Sequence, residues 1–484
     1  QEVFHELPLR DVSSWTALIS GYVEHGFDDL ALNCFKLMRN EGLSPDAVTF
    51  TCVLKACGNK GSLEIGEEIY AEVQKQGLLA KNMVLSNALL DMYVKCGSLA
   101  RAQETFEALP VKNVISWTVL IMGYAQQGFG DKAMAFFQQM VNDGLSPDGV
   151  TFICILQACG SHRLVDMGRE IHASATRLGL LEKDVVLSTT LLDMYAKCGR
   201  FEEAQDILNK LLIRNTTTWN TLIAGYAQHG LDDEVVKLFH VMCGEGFSPD
   251  AITFILVLKS CGNIGSLEIG EEIRKEVCRR EGLLQEKDID IALRTALVDM
   301  YAKFGLLRKA QGMFNEIPVP NLASWTALMA GYAQFGEAQM VSVLFRQLTV
   351  QGVLPDSVTF LVLLSACSHR GLLDEGQIIF NDMCSIYSIT PTYEHYNCMV
   401  DLFGRAGCFV KAVLMIESVP CSDRLPLWST LLGACCKWVN VDLGRWAFKQ
   451  SIQLDENCAA TYVCLRNILA FAAFQVESRG TLPS

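Results

Sequence analysis

Three kinds of sequence feature are missing from this chain of 484 residues. No run of about 18 uncharged apolar residues occurs, so we expect no helix that crosses a membrane. Glycine-rich phosphate-binding loops of the form GxGxxG, GxxxxGKS or GxxxxGKT are also missing. None of the eight histidines is followed two residues later by glutamate, and no two cysteines stand three residues apart. These absences predict no catalytic residues, no metal site, no cofactor and no small-molecule substrate, and hence no enzyme.

The chain also has too little positive charge to hold nucleic acid mainly by neutralising phosphates. It carries 40 lysines and arginines against 54 aspartates and glutamates, a formal net charge of −14. Proteins that clamp phosphates are usually basic. The charge does not exclude a protein that recognises bases one at a time.

Cysteine is plentiful, but its placement is not that of a disulfide framework. Five of the nineteen cysteines follow alanine or serine just before a turn, namely Cys57, Cys159, Cys261, Cys367 and Cys435. Cys96 and Cys198 both stand in a KCG motif whose third copy has Phe304 instead. A site that accepts phenylalanine suits apolar packing and not a bridge or a metal ligand. We therefore expect mostly packing thiols in a reducing compartment.

Tryptophan shows how the chain is organised. Trp15, Trp117, Trp219, Trp325 and Trp428 are separated by 102, 102, 106 and 103 residues, in segments such as SSWTALISGY and ASWTALMAGY. A fixed long period indicates one structural unit copied along the chain. Each period divides into three related pieces of 35, 36 and 31 residues, the first being Val12–Asp46, Ala47–Asn82 and Met83–Asn113.

Each piece has the pattern of two helices joined by a tight turn. In Val12–Asp46 two apolar stripes at helical spacing are separated at Gly26, and Gly42 with Pro45 ends the second stripe. A lone hairpin leaves an apolar face uncovered, and stacking on its neighbours covers it. Nine further hairpins complete a set that we number repeats 1 to 12: Val114–Asp148, Gly149–Asp184, Val185–Asn215, Thr216–Asp250, Ala251–Asp290, Ile291–Asn321, Leu322–Asp356, Ser357–Thr392 and Tyr393–Arg424.

The repeat register predicts four segments. Residues 1–11 match the end of a repeat, since VFHELPLRD resembles TFEALPVKN, so we expect further sequence before Gln1. Residues 12–424 hold the twelve repeats, 425–457 a further hairpin, and 458–484 a segment that diverges after Ala470. Repeat 8 is four residues longer than its equivalents, and we place the insertion in the loop after its second helix.

The helix pairs of 35 residues, with their SPD, VTF and AKCG motifs, resemble pentatricopeptide repeats. The 35/36/31 alternation is similar to the P-L-S subclass of land-plant organelle proteins. Residues 425–457 resemble the E-type extension of that subclass, residues 458–484 resemble a partial second extension motif, and no DYW deaminase domain is recognised. The resemblance implies an all-α fold, a right-handed α-solenoid of TPR-like helix-turn-helix repeats.

In this family each repeat faces one RNA base, and the fifth and last residues set its identity. Two short polar side chains can match the Watson–Crick edge of an unpaired base. Carried over, the rule indicates G for Thr16/Asp46, Thr118/Asp148 and Thr326/Asp356, A for Thr189/Asn215 and Thr295/Asn321, and U for Asn220/Asp250. It indicates a pyrimidine, with C favoured, for Asn87/Asn113, and a pyrimidine for Asn397 in repeat 12. Ile153, Ile255 and Leu361 cannot hydrogen-bond a base, and Thr51/Asn82 is ambiguous.

These residues also have a structural interpretation that the sequence leaves open. Aspartate or asparagine at the end of a loop is a natural N-cap for the next helix. The second residues of six repeats are β-branched and suit either wedging between bases or ordinary packing: Val48, Ile115, Val150, Val186, Ile252 and Val358.

The resemblance implies a sequence-specific binder of single-stranded RNA in a mitochondrion or chloroplast. It would act as the specificity factor in C-to-U RNA editing. A deaminase-bearing pentatricopeptide repeat protein or another editing factor would act in trans. Two alternatives remain open at this point: a protein-binding helical scaffold, or a remnant of a longer deaminase-bearing editing factor.

Overall fold

The computed structural model describes residues 4, 10–79, 82–181, 184–211, 213–279, 287–420, 424–455 and 458–480. This part of the chain forms 27 α-helices and contains no β-strand. The all-α fold class expected from the repeat pattern is confirmed.

The first helices of the repeats are numbered with odd numbers. Their bounds are α1 Val12–Glu24, α3 Ala47–Lys60, α5 Met83–Lys95, α7 Val114–Gln126, α9 Gly149–His162, α11 Val185–Lys197, α13 Thr216–Gln228, α15 Ala251–Ile264, α17 Lys287–Lys303, α19 Leu322–Gln334, α21 Ser357–Arg370 and α23 Tyr393–Arg405.

The second helices carry the even numbers. Their bounds are α2 Asp28–Asn40, α4 Leu63–Lys75, α6 Leu99–Glu107, α8 Gly130–Asn142, α10 Val165–Arg177, α12 Phe201–Lys210, α14 Asp232–Gly244, α16 Leu267–Arg279, α18 Leu307–Asn315, α20 Ala338–Val350, α22 Leu373–Ser385 and α24 Phe409–Glu417. The chain continues through α25 Arg424–Trp438, α26 Val441–Leu454 and α27 Ala459–Gly480. None of the described helices is both long enough and apolar enough to cross a membrane.

Residue contacts divide the chain into two compact units. One comprises Gln1–Leu231 with Met242–Ser248, and the other comprises Asp232–Val241 with Pro249–Ser484. Within each unit the first helices of consecutive repeats pack on one another. A second helix packs on its own first helix and on the first helix of the next repeat. Each unit is therefore an α-solenoid held together by nearest-neighbour interfaces.

The periodic tryptophans join one repeat to the next. Trp117 lies edge-on against Phe106 of the preceding repeat, with ring centroids 4.6 Å apart. Trp325 and Phe314 repeat this contact at 4.6 Å. Both tryptophans are almost fully buried. Aromatic pairs in this geometry are stabilising beyond the area they bury, so the 102-residue period marks a recurring interface.

Glycine allows the first helices to approach closely at some of these interfaces. A Cβ at Gly225 of α13 would lie 2.4 Å from the Cβ of Ala196 in α11. Gly331 of α19 has the same relation to Ala302 of α17, also at 2.4 Å. No side chain larger than hydrogen fits these positions without moving a neighbouring helix.

The five cysteines before the turns are buried, as expected from their pattern. Burial raises the pKa of the Cys57 and Cys159 thiols to about 12 in each case, so both remain protonated and unreactive at neutral pH. Cys96 and Cys198 are only half-buried, and Cys243, Cys278 and Cys384 are exposed.

The structure differs from the repeat register in repeat 9. Its first helix α17 begins at Lys287, four residues before the expected start at Ile291. Asp290 accordingly lies inside the helix, where its carboxylate accepts a hydrogen bond of 2.7 Å from Nε of Arg294. The expected insertion in the loop after α16 falls at residues 280–286, outside the described residues.

The segment after repeat 12 is helical and shares its core with the repeats. Buried residues of α25, α26 and α27, including Trp428, Ala447 and Ile468, pack in one cluster with Met399 of α23. The helix α27 continues to Gly480, beyond the divergence of sequence after Ala470.

We expect Gly225→Ala to lower the free energy of unfolding by about 1–3 kcal/mol, the usual cost of overpacking a close contact. Gly312→Ala provides the control, because a Cβ at this exposed position of α18 meets no described atom within 4 Å. Alanine at such a helix position should stabilise by up to about 1 kcal/mol. Thermal and denaturant melts measure both changes, and equal shifts would contradict the close-contact explanation.

Candidate nucleic-acid interface

The last residue of most repeats caps the first helix of the next repeat. Asp46 accepts a hydrogen bond of 2.8 Å from the backbone amide of Thr49, and Asn113 accepts one of 2.8 Å from the amide of Ser116. The same bond to the third residue of the next repeat is made by Asp148, Asn215, Asp250, Asn321 and Asp356. The capping role that the sequence left open is thus real.

The cap occupies only part of each side chain. In Asp46, Asp148 and Asp356 the same oxygen, Oδ1, takes the bonds from the capped turn. All three residues are exposed. Capping therefore does not require the second carboxylate oxygen, and a residue can cap a helix and still offer a polar atom to a ligand.

The fifth residues lie one turn into the first helices. Thr16 donates a hydrogen bond of 2.8 Å to the carbonyl of Val12, four residues earlier. The other fifth-position threonines, Thr118, Thr189, Thr295 and Thr326, make the equivalent bond at 2.7–2.9 Å. This bond fixes the hydroxyl close to the helix backbone.

A hydroxyl of the following repeat brings the fifth and last residues together. Oγ1 of Thr16 lies 2.6 Å from Oγ1 of Thr49, and Thr49 in turn donates to Oδ1 of Asp46 at 2.8 Å. The sequence reasoning did not identify this third residue as part of the site. Its signal was present in the repeated T of the VTF and ITF motifs, three positions after the last aspartate.

Repeats 4 and 10 contain the same chain of hydroxyls, which we call the hydroxyl relay. In repeat 4, Oγ1 of Thr118 and Oγ1 of Thr151 are 2.7 Å apart, and Thr151 donates to Asp148 at 2.8 Å. In repeat 10 the contact between Thr326 and Thr359 is longer, at 3.4 Å. The hydroxyl relay is therefore tight in repeats 1 and 4 and loose in repeat 10.

Repeats 3 and 6, which end in asparagine, are arranged differently, whereas after repeat 9 the hydroxyl of Ser324 contacts both the main-chain carbonyl of Asn321 at 2.8 Å and its Oδ1 at 3.1 Å. The hydroxyl of Ser116 donates to the main-chain carbonyl of Asn113 at 2.9 Å, and Thr218 does the same to Asn215 at 2.8 Å. The bonds of the capping turn use Oδ1 of each asparagine and not the amide nitrogen. The last residue here can thus present an NH₂ donor where the aspartates present an acceptor.

The described residues of the long repeats 2 and 5 form no equivalent of the hydroxyl relay. Asn82 and Asp184 each accept from two backbone amides of the next helix, and the third residues of those helices are Leu85 and Leu187. The base faced by repeat 2 stays ambiguous, and repeat 5 stays without an assigned base.

Repeat 7 has its fifth residue Asn220 in one compact unit and its last residue Asp250 in the other. Asn220 lies in α13 and is 8% exposed. Asp250 caps α15 through a bond of 2.8 Å from the amide of Thr253. The readout of U by this pair stays a prediction.

Repeat 12 has polar groups that are already engaged within the protein. Oδ1 of Asn397 accepts a hydrogen bond of 2.6 Å from Thr430. Arg424 donates to the carbonyls of Val419 and Glu417 at 2.6 and 2.7 Å, at the end of α24. These contacts leave Asn397 with its NH₂ group as the available donor, and they tie Arg424 to the helix end.

The second residues of the repeats are exposed. Val48, Ile115, Val150, Val186, Ile252 and Val358 have 53–63% of their surface accessible. Because these side chains are exposed, they are not core packing residues, and wedging between bases stays a prediction. Each lies one helical turn before the fifth residue of the same helix, and so on the same face.

The described residues contain no group of three or more histidine, cysteine, aspartate or glutamate side chains arranged to hold a metal ion. The polar groups gathered at the ends of the first helices are hydroxyls, carboxylates and amides. Such groups suit hydrogen bonding to a ligand.

Solved structures with a similar fold include the pentatricopeptide repeat protein PPR10 from maize. Its crystal structure superposes with a TM-score of 0.54 at 19% sequence identity, covering 99% of this chain and 80% of that one. A complex of PPR10 with an 18-nucleotide psaJ RNA element superposes with a TM-score of 0.55 at 19% identity, covering 96% and 78%.

Sequence comparison extends the similarity to relatives in Arabidopsis thaliana. The pentatricopeptide repeat-containing protein At5g27110 is 34% identical over 97% of this chain and 67% of its own length. Two others at 34% identity are At3g25060, named as mitochondrial, which is covered over 77% of its length, and At1g15510, named as chloroplastic, which is covered over 53%.

The repeat profiles match most of the described hairpins. The PPR repeat family matches residues 10–59, 112–161 and 214–263. The PPR repeat matches residues 48–78, 186–215, 294–319, 323–353, 358–386 and 394–421. The chain belongs to the pentatricopeptide repeat family.

Proposed function

We propose that this protein binds single-stranded RNA and recognises bases one repeat at a time, with the RNA running 5′ to 3′ along the chain. The observation that carries the proposal is the hydroxyl relay, which brings the fifth and last side chains of one repeat together beside an exposed apolar second residue. The complex of maize PPR10 with RNA supports the same kind of ligand for this fold.

The chemistry of the paired side chains accounts for a preference for guanine. Thr118 gives its single hydroxyl hydrogen to a neighbour within the protein, so it offers lone pairs to a ligand. The carboxylate of Asp148 also only accepts. Two acceptors match the N1–H and N2–H donors on the Watson–Crick edge of guanine, and they repel the N1 acceptor of adenine.

With asparagine in place of the last aspartate, the paired side chains fit a different base. In repeat 6, Thr189 is an acceptor while its hydroxyl donates to the carbonyl of Val185, and the amide of Asn215 can donate. An acceptor beside a donor fits the N6 amino group and the N1 atom of adenine. The proposed target over repeats 1 to 12 is G-N-Y-G-N-A-U-N-A-G-N-Y, where Y is a pyrimidine and N is unassigned.

We further propose that the protein is a specificity factor for C-to-U editing in a plant organelle. Support comes from the P-L-S alternation of repeat lengths, from the hairpin at 425–457 that resembles an E-type extension, and from relatives named as mitochondrial or chloroplastic. The deaminase would act in trans, on a cytidine positioned by the bound repeats.

Titration of the protein with three RNAs tests the proposal directly. We expect the target sequence to bind most tightly, a scrambled sequence of the same composition more weakly, and a duplex of the target most weakly, because a paired base hides its Watson–Crick edge. Fluorescence anisotropy at a fixed salt concentration measures the three dissociation constants. Equal affinity for all three would rule out base recognition and favour a protein-binding scaffold.

A substitution of a second residue tests the wedging role. Ile115→Ser should weaken binding of the target RNA on the order of fivefold, because about 50 Å² of apolar surface would no longer be covered by a base. Stability should change by less than about 0.5 kcal/mol, since Ile115 is 58% exposed.

Val111→Ser is the matched control for this experiment. Val111 is 59% exposed, like Ile115, but lies in the loop before α7 and not on the face of the fifth residue. A loss of affinity of equal size in both variants would show that the effect is not local to the second position.

Recoding of repeat 10 tests the base assignment. Thr326→Asn, with Asp356 retained, should change the preferred base of this repeat from G to U, because an amide can donate as well as accept. The change should cost roughly 1–3 kcal/mol against the original base. Binding to RNAs that differ only at this base measures the switch.

The melting temperature is the control for the recoded variant. Asparagine already occupies the equivalent position in repeat 7, at Asn220, so stability should hardly change. If the melting temperature and the base preference both stay the same, Thr326 is only a residue of the first helical turn and the assignment of repeat 10 is wrong.

A further inference from the structure

The third residue after each last aspartate of repeats 1, 4, 7 and 10 is a threonine. These residues, Thr49, Thr151, Thr253 and Thr359, are all fully buried. A buried hydroxyl needs hydrogen-bond partners, or its burial is costly. The need to cap a helix does not by itself require this residue, because the backbone amide at the same position already bonds to the aspartate.

The number of hydrogens in the relay restricts what the fifth residue can do. Thr118 and Thr151 have one hydroxyl hydrogen each, and their oxygens are 2.7 Å apart, so one hydrogen must lie between them. If Thr118 donates to Thr151, then Thr151 donates to Asp148. If Thr151 donates to Thr118, then Thr118 donates to the carbonyl of Val114. In both arrangements Thr118 has no hydrogen left for a ligand.

We propose that the threonine at the third position of the next repeat is a positioning residue that holds the fifth threonine as a hydrogen-bond acceptor and so sets the preference for guanine over adenine. The inference rests on the proposed function, in that repeats 1 and 4 face a base. Without the hydroxyl of Thr151, the hydroxyl of Thr118 keeps only its bond to the carbonyl of Val114, which it can exchange for a bond to N1 of adenine. The carboxylate of Asp148 also loses one of the two bonds that align it.

The third residue makes different contacts after the aspartate-ended, the asparagine-ended and the long repeats. In the aspartate-ended repeats 1 and 4, the third hydroxyl donates to the last side chain. In the asparagine-ended repeats 3 and 6, it donates to the main chain, and in repeat 9 it lies within hydrogen-bond distance of both the main-chain carbonyl and Oδ1 of Asn321, at 2.8 and 3.1 Å. In the long repeats 2 and 5, the position is occupied by leucine. The bond from the third hydroxyl to the last side chain is thus shortest after the aspartate-ended repeats, at 2.7–2.9 Å.

The test compares Thr151→Val with Thr151→Ser, which retains the hydroxyl. The protein is titrated with target RNAs that carry G or A opposite repeat 4. We expect Thr151→Val to lower the ratio of affinities for G over A roughly three- to tenfold, the range of a single net hydrogen bond. Thr151→Ser should keep the ratio within about twofold of the original protein.

Thr359→Val is a control within the same chain. Thr359 caps through the same two bonds to Asp356, at 2.8 and 2.7 Å, but its contact with the fifth residue is 3.4 Å long. We expect this variant to lower the G-over-A ratio at repeat 10 by less than about twofold. Melting curves of all variants measure the loss of capping separately from the loss of discrimination.

Two results would overturn the inference. One is an unchanged G-over-A ratio in Thr151→Val, and the other is an equal loss of the ratio in Thr151→Val and Thr359→Val, which would indicate a capping role alone. If the valine variant does not fold, a lowered ratio in the folded Thr151→Ser protein overturns the inference as well. An original protein that binds G and A equally at repeat 4 would instead refute the proposed base readout, and the inference with it.

Discussion

The hydrogen bond from the third amide of one repeat to the last side chain of the preceding repeat is the interaction on which this protein depends. It begins most of the first helices at a defined residue, as Asp46 does for α3 and Asn113 does for α7. Because the helix start is defined, the second and fifth residues lie on a fixed face. The same bond fixes the carboxylate or amide next to the fifth residue of its own repeat. One contact therefore serves the folding of one repeat and the presentation of the ligand-binding groups of another.

This double use explains why a structural and a functional interpretation of the last residues are compatible. A carboxylate has two oxygens, and the cap in the aspartate-ended repeats uses Oδ1. The choice of aspartate or asparagine hardly affects a cap, since both accept from an amide equally well. The choice does change the side-chain group that the cap leaves unused, which is an acceptor oxygen in aspartate and a donor NH₂ in asparagine. Readout can thus vary from repeat to repeat while the fold stays constant.

The repeat architecture also separates stability from recognition. Packing between repeats is made by buried aromatic pairs such as Phe106 with Trp117, and by close helix contacts at Gly225 and Gly331. The proposed recognition residues lie at the starts of the first helices and are not members of those pairs and close contacts. Substitutions at the second and fifth positions are therefore expected to change binding with small effects on folding, which is the condition under which a base code can be altered one repeat at a time.

The sequence by itself determined the fold class, the register of the hairpins and the residue types at the fifth and last positions, because helical periodicity and glycine turns are local properties that repeat. It missed the start of α17 at Lys287, since the neighbouring insertion interrupts the register. Only the tertiary structure decided that Val48 and Ile115 are exposed and that Thr49 connects Thr16 to Asp46. Those facts depend on how one repeat packs against the next. The spacing of residues within one repeat does not determine whether two residues 33 positions apart, in neighbouring repeats, come into contact.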